Sequence, residues 1–84
     1  MVGMDVVVRL FGPAREAAGT ESVALALPVG ATAGAALAAL AEAHPALADL
    51  LPRARVAVNQ AYVDATTPLA PGDEIAIVPP VGGG

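Results

Sequence analysis

Thr32-Ala33-Gly34-Ala35-Ala36-Leu37-Ala38-Ala39-Leu40-Ala41-Glu42-Ala43-His44-Pro45 is the stretch that organises the chain. Thr32 supplies a side-chain oxygen where a helix needs an acceptor for its first amides. The helix is predicted over Ala33 to Ala43, and Pro45, which clashes with a continuing helix and lacks an N–H, ends it. Leu37, Leu40, Ala41 and His44 recur at i, i+3, i+4 and i+7, which predicts the buried face. Leu47, Leu50 and Leu51 are expected to add one more apolar turn that closes the core.

Strands flank this helix on both sides. Upstream, Met4 to Phe11 is rich in β-branched residues and stops at Gly12-Pro13. Met4, Val6, Val8 and Leu10 share one face, and Asp5, Val7, Arg9 and Phe11 share the other. The charges mark the second face as outward, which leaves Val7 and Phe11 exposed or covered by a partner. Pro13 to Ala18 reads as a short helical turn with Gly19 as its stop. Ser22 to Leu27 follows as a strand with Val23, Leu25 and Leu27 inward, and Pro28-Val29-Gly30 turns the chain into the helix. Downstream, Arg55 to Asn59 is a strand with Val56 and Val58 inward. Asn59-Gln60 turns into a very short strand around Tyr62-Val63. Thr66 to Asp73 is loop, with Pro71-Gly72 as its turn signal. Glu74 to Val78 is the last strand, with Ile75 and Ile77 inward.

Two strands, one long helix, then three strands is the order of an α+β, ubiquitin-like β-grasp. The expected form is a mixed sheet of about five strands with one long crossing helix and short helical turns. In such a sheet the first and last strands are parallel neighbours. The expected organisation is one domain over residues 1–80 and a flexible glycine tail over 81–84.

Composition narrows the function. The 84 residues suffice for one domain, and 56% are hydrophobic, so a small aliphatic core is attainable. Net charge is −4, from four Arg, no Lys and eight acids. No basic footprint for nucleic acid exists, and a neutral or basic protein partner fits better. The absence of Cys removes thiolate metal sites, disulfides and a cysteine nucleophile, and one histidine, His44, cannot build a histidine metal site. No metal and no bound cofactor are expected. No apolar run is long enough to span a membrane, no signal segment is visible, and a cytoplasmic location is expected.

The remaining chemistry lies in Pro79-Pro80-Val81-Gly82-Gly83-Gly84. From Pro79 these six residues span at most about 20 Å when extended. The prolines favour an extended root, and glycines near the end suit a narrow channel. A carboxylate at Gly84 is a poor electrophile until a partner converts it to an acyl adenylate or thioester. The chain has no phosphate loop of its own, so that partner must use ATP. Without Cys, carried sulfur would have to sit on the Gly84 carboxyl as a thiocarboxylate. Without Lys, the chain offers no side-chain amine for building polymers of itself.

Four segments carry a resemblance. Leu10-Phe11-Gly12-Pro13-Ala14-Arg15-Glu16-Ala17-Ala18-Gly19 is similar to an aromatic-x-x-x-R-E-x-x-G signature. Ala57-Val58-Asn59-Gln60, Pro71-Gly72-Asp73-Glu74 and Val78-Pro79-Pro80-Val81-Gly82-Gly83-Gly84 follow in order. Together they resemble the small subunits of molybdopterin synthase, the MoaD-type sulfur carriers. The resemblance implies that a ubiquitin-activating-like adenylyltransferase adenylates Gly84 and that a sulfur donor makes the thiocarboxylate. It implies insertion of the tail into the large synthase subunit, in a heterotetramer. Sulfur then passes to cyclic pyranopterin monophosphate during molybdenum cofactor biosynthesis. It also implies a partner-binding set of Phe11, Arg15, Val78, Pro79, Pro80 and Val81, with Gly82 and Gly83 in the channel. Gly82 stands where the family often has Ala or Ser, and the family's lysines are absent.

Other readings remain open at this level. The carrier could serve thiamine synthesis, transfer-RNA thiolation or cysteine synthesis, although thiamine carriers usually lack the Arg15-Glu16 turn. It could also be a protein modifier, or an interaction domain with an inert tail. Arg15 could contact a partner or pair with Glu16 or Glu21. Asp64, Asp73 and Glu74 read as solvated turn or strand-edge acids, and His44 as a half-buried helix-end residue.

Overall fold

A computed structural model of the protein describes residues 3–78. Pro79, Pro80, Val81, Gly82, Gly83 and Gly84, expected to form the root and tip of the tail, lie outside the described residues. The elements are β1 (Gly3–Leu10), α1 (Gly12–Ala18), β2 (Ser22–Pro28), α2 (Ala33–Ala43), two 3₁₀ turns (Pro45–Leu47 and Leu51–Arg53), β3 (Arg55–Val58), β4 (Ala61–Val63) and β5 (Glu74–Val78). The sheet order is β2-β1-β5-β3-β4. β1 runs antiparallel to β2 and parallel to β5, and β5 and β4 both run antiparallel to β3. This is the ubiquitin-like β-grasp, with α2 as the crossing helix.

The core follows the alternation of the strands. Met4, Val6, Val8 and Leu10 of β1 and Ile75 and Ile77 of β5 are each at most 3% exposed. They meet Leu40 of α2 and Leu47 of the first 3₁₀ turn, both fully buried. Each such aliphatic side chain contributes about 2 kcal/mol when withdrawn from water.

The helix face differs from its expected pattern. Its buried residues are Ala33, Ala36 and Leu40, whereas Leu37, Ala41 and His44 are only partly buried. The cause is size. Alanines at 33 and 36 let the helix approach its neighbours closely, so the Ala-lined side turns inward and Leu37 moves to the rim. The final apolar turn is two separate 3₁₀ turns, in which Leu47 and Leu51 are buried and Leu50 is half-buried. The loop after β4 also enters the core, because Leu69 is 6% exposed and its N–H donates to Ala31 O at 2.9 Å.

Local chemistry explains the junctions. Gly12 and Gly19 adopt left-handed backbone at the two ends of α1, with φ of 53° and 75°. The α2 N-terminus is capped from two sides. Ala35 N donates to Thr32 Oγ1 at 3.2 Å, while Ala33 N and Gly34 N donate to Thr67 O and Ala65 O at 2.8 and 2.9 Å. Asn59 and Gln60 both have positive φ, as a two-residue type I′ hairpin turn requires. Asn59 also clasps β5: its Nδ2 donates to Asp73 Oδ1 at 3.0 Å, and its Oδ1 accepts from Glu74 N at 3.1 Å.

Asp64 and Asp73, read as solvated turn acids, also order their own loops. Asp64 Oδ1 accepts from Thr66 Oγ1, Thr66 N and Thr67 Oγ1 at 2.6, 3.0 and 3.4 Å. The Thr66 hydroxyl, then the Thr66 amide, hold its carboxyl below the ordinary value of 3.8. Asp73 Oδ2 accepts from Ala70 N at 2.8 Å and so closes the loop before β5.

Two predictions follow from these contacts. A helical Gly→Ala change ordinarily gains about 1 kcal/mol. At Gly34 the added methyl would stand 3.1 Å from both Ala65 Cβ and Ala65 O. That oxygen already accepts from Gly34 N, so it cannot retreat without weakening the helix cap. Gly34→Ala is therefore expected to lower stability by about 1 kcal/mol in denaturant unfolding, and a stabilised variant would contradict the contact. Because folding lowers the pKa of Asp64, its stabilising effect is present above 3.8 and is lost as pH falls through the lower folded value. Asp64→Asn is expected to lose less stability than wild type between neutral pH and pH about 3. Identical acid limbs for the two proteins would refute the role of the threonine cluster.

Candidate functional site

The sheet has one face under α2 and one face open. On the open face the parallel register sets Val7 beside Glu74 and Arg9 beside Ala76, with Leu10 opposite Ile77 on the buried side. Phe11 and Val78 come next, at adjacent ends of β1 and β5. On the other side of β5, Ala57 pairs with Ala76 and Arg55 with Val78. Tyr62 of β4 pairs with Ala57. Val7, Phe11 and Tyr62 are 41%, 51% and 61% exposed, the large apolar and aromatic exposures of this face.

Phe11 combines an exposed ring with a fixed backbone. It is the N-cap of α1 in extended conformation, and its carbonyl accepts from Ala14 N at 3.1 Å. An aromatic ring held this way can enter a partner's pocket at little entropic cost. Val78 is half-buried beside it and is the last described residue. Phe11 and Val78, which strand parity puts on the outer face, thus lie together at one end of the sheet.

Arg15 lies one helical turn beyond Phe11. Its Nη2 is 3.9 Å from Glu21 Oε2, with both side chains more than 60% exposed. So loose an exposed pair adds little stability and leaves the guanidinium available to a partner. Arg9 is engaged more closely, with its Nε 3.0 Å from Glu74 Oε2. His44 is the half-buried cap residue of α2, and its N–H donates to Leu40 O at 2.8 Å.

Sequence reasoning missed two residues of this face. Ala57 is 7% exposed although it points outward, because Tyr62 and Ala76 flank its small side chain. Tyr62 carries Arg55 over its ring, with the guanidinium carbon 4.7 Å from the centroid. The signal was present in the Asn59-Gln60 turn: a two-residue hairpin forces Tyr62 opposite Ala57 and hence onto the open face.

An open groove of about 650 Å³ runs along the β4 edge, lined in part by Leu37, Leu51, Val56, Tyr62, Val63 and Asp64. Asp64 is its one carboxylate, and that group is already occupied by Thr66 and Thr67. The groove therefore offers no pair of carboxylates for acid–base chemistry. Among the described residues, no helix is long and apolar enough to cross a membrane.

Comparison with known proteins agrees with this geometry. The ThiS family profile matches residues 8–84. The molybdopterin synthase sulfur carrier subunit of Chlamydomonas reinhardtii is 39% identical over 83 residues, covering 96% of this chain and all of the relative. The crystal structure of small archaeal modifier protein 1 from Haloferax volcanii superposes with a TM-score of 0.88 at 33% identity, covering 94% of this chain and 100% of that one. A protein–protein complex of subunits 1 and 2 of the molybdopterin-converting factor from Helicobacter pylori contains a chain 33% identical to this one. Its TM-score is 0.68, with 96% of this chain and 100% of that chain covered. By its fold and by these matches, the chain belongs to the ThiS family, alongside the molybdopterin synthase sulfur carrier subunits.

Proposed function

We propose that this protein is the sulfur-carrier subunit of molybdopterin synthase and that Gly84 is its reacting terminus. One observation supports the reading above the rest. The parallel β1–β5 pair delivers the chain at Val78 beside an exposed, backbone-anchored Phe11. In the sequence the segment that follows is Pro79-Pro80-Val81-Gly82-Gly83-Gly84. Docking through Phe11, Arg15 and Val78 would thus aim the tail, with Pro79, Pro80 and Val81 as its root.

The chemistry begins in a partner. The Gly84 carboxylate attacks the α-phosphorus of ATP on a ubiquitin-activating-like adenylyltransferase, and pyrophosphate leaves. Hydrosulfide released by a sulfur donor then attacks the acyl carbon and AMP leaves, so that the new C–S bond replaces the C–O bond to phosphate and the product is a thiocarboxylate. The carrier next docks on the large synthase subunit and presents that sulfur to cyclic pyranopterin monophosphate. Hydrolysis of the acyl–sulfur bond returns the carboxylate for another cycle. The protein itself binds no cofactor in this scheme and catalyses no step alone. Two carriers serving two large subunits form the expected heterotetramer, in the cytoplasm where ATP is available.

A second reading has specific support in the likeness to small archaeal modifier protein 1. In that reading the activated Gly84 is attacked by a target amine and not by a sulfur nucleophile. Adducts on denaturing gels that depend on Gly84 would favour it.

The carrier reading is tested by adding one residue after Gly84. The extended protein is expected to fold as wild type does and to lose sulfur transfer to the precursor pterin. Full activity in the extended protein would reject Gly84 as the reacting terminus.

A further inference from the structure

We infer that Arg55, braced on Tyr62 and in register with Val78, is the cation by which this carrier engages a carboxylate of the large synthase subunit. The inference rests on the carrier reading above.

The distribution of charge singles out Arg55. The chain has four arginines and no lysine. Arg9 is neutralised by Glu74 at 3.0 Å, and Arg15 faces Glu21 at 3.9 Å. Among the described residues, Arg53 and Arg55 have no acid within ion-pair distance. Arg53 belongs to the second 3₁₀ turn, off the sheet. Arg55 is on the open face, in register with Val78, where the described chain ends.

Its setting suits a protein carboxylate. The guanidinium carbon stands 4.7 Å from the Tyr62 ring centroid. Stacking restricts an otherwise flexible side chain and leaves the in-plane N–H donors for a planar, bidentate acceptor. Val78 is its cross-strand partner, Ala57 and Ala76 pair next along the same open face, and Arg55 also lines the β4-edge groove with Leu51, Pro52 and Tyr62. A single cation in such surroundings fits one acid at the edge of a protein interface, whereas a polyphosphate would need several cations. A complex of two such subunits is among the similar structures, so the large subunit is the occupant to which the inference commits. With a net charge of −4, the carrier repels acids over most of its surface. An attractive acid contact confined to Arg55 would fix the orientation in which the tail enters.

The test is titration calorimetry of the full-length carrier against its cognate large subunit at low and high ionic strength. Arg55→Glu is expected to weaken binding about tenfold at low salt, and Arg55→Gln about threefold, with the difference from wild type shrinking at high salt. Arg53→Glu changes net charge by the same amount as Arg55→Glu and is expected to change affinity less than about twofold. Reversal of one acidic residue on the large subunit should restore binding of Arg55→Glu. Thermal unfolding of each variant should match wild type, because Arg55 is exposed. Wild-type affinity in Arg55→Glu would overturn the inference. So would equal losses in Arg53→Glu and Arg55→Glu, or a defect confined to adenylation by the activating enzyme. Phe11→Glu separates the two levels: its loss of binding beside an unaffected Arg55→Glu would overturn this inference alone. Failure of wild type to bind would overturn it together with the carrier reading.

Discussion

The parallel pairing of β1 with β5 is the constraint on which the rest depends. It joins Leu10 to Ile77 across nearly the whole sequence. Parallel strands cannot be joined by a tight turn, so a long connection must return the chain to the same end of the sheet. α2 supplies that crossing, and its alanines allow close approach over the residues that the pairing buries. Once Leu10 faces Ile77, Phe11 and Val78 must lie side by side. The exposed Phe11 and the last residue of β5, Val78, are therefore placed by the same backbone bonds that hold the core.

Charge is arranged around this framework with little of it buried. Asp73 and Asn59 tie the β3–β4 hairpin to the start of β5. Asp64 orders the loop whose carbonyls cap α2. Arg9 and Glu74 neutralise each other on the open face. What remains there is apolar, apart from Asp5, Ser22 and the Arg55–Tyr62 pair. Such a surface can be desolvated by a partner without stranding many charges, which favours tight yet reversible docking.

Much of this was legible in the residues. Strand alternation identified the buried set of β1 and β5, and Thr32 and Pro45 bounded α2 at the residues observed. The same parity placed Phe11 and Val78 on the open face. The features that were not legible depend on size and distant contact. Leu37 looked like core because periodicity counts apolar residues without weighing how closely alanines let a helix approach. Leu69 sat in a stretch of turn residues, and only its bond to Ala31 draws it inward. Tyr62 required the hairpin register, and the partners of Asp64 and Asp73 required loop geometry that local propensity does not encode.

Under the proposed carrier function, the domain has one task, which is to bring a reactive carboxyl group to other proteins. It contains no Cys to hold sulfur, and the groove along the β4 edge, among the described residues, has no paired acids to perform chemistry. The central claim is therefore about the state of one carboxyl group. The direct measurement is the intact mass of the protein after incubation with its activating enzyme, ATP and a sulfur donor. The account predicts a mass increase equal to one sulfur in place of one oxygen, localised to the fragment that ends in Gly84. An unchanged mass, or sulfur found on any other fragment, would contradict it.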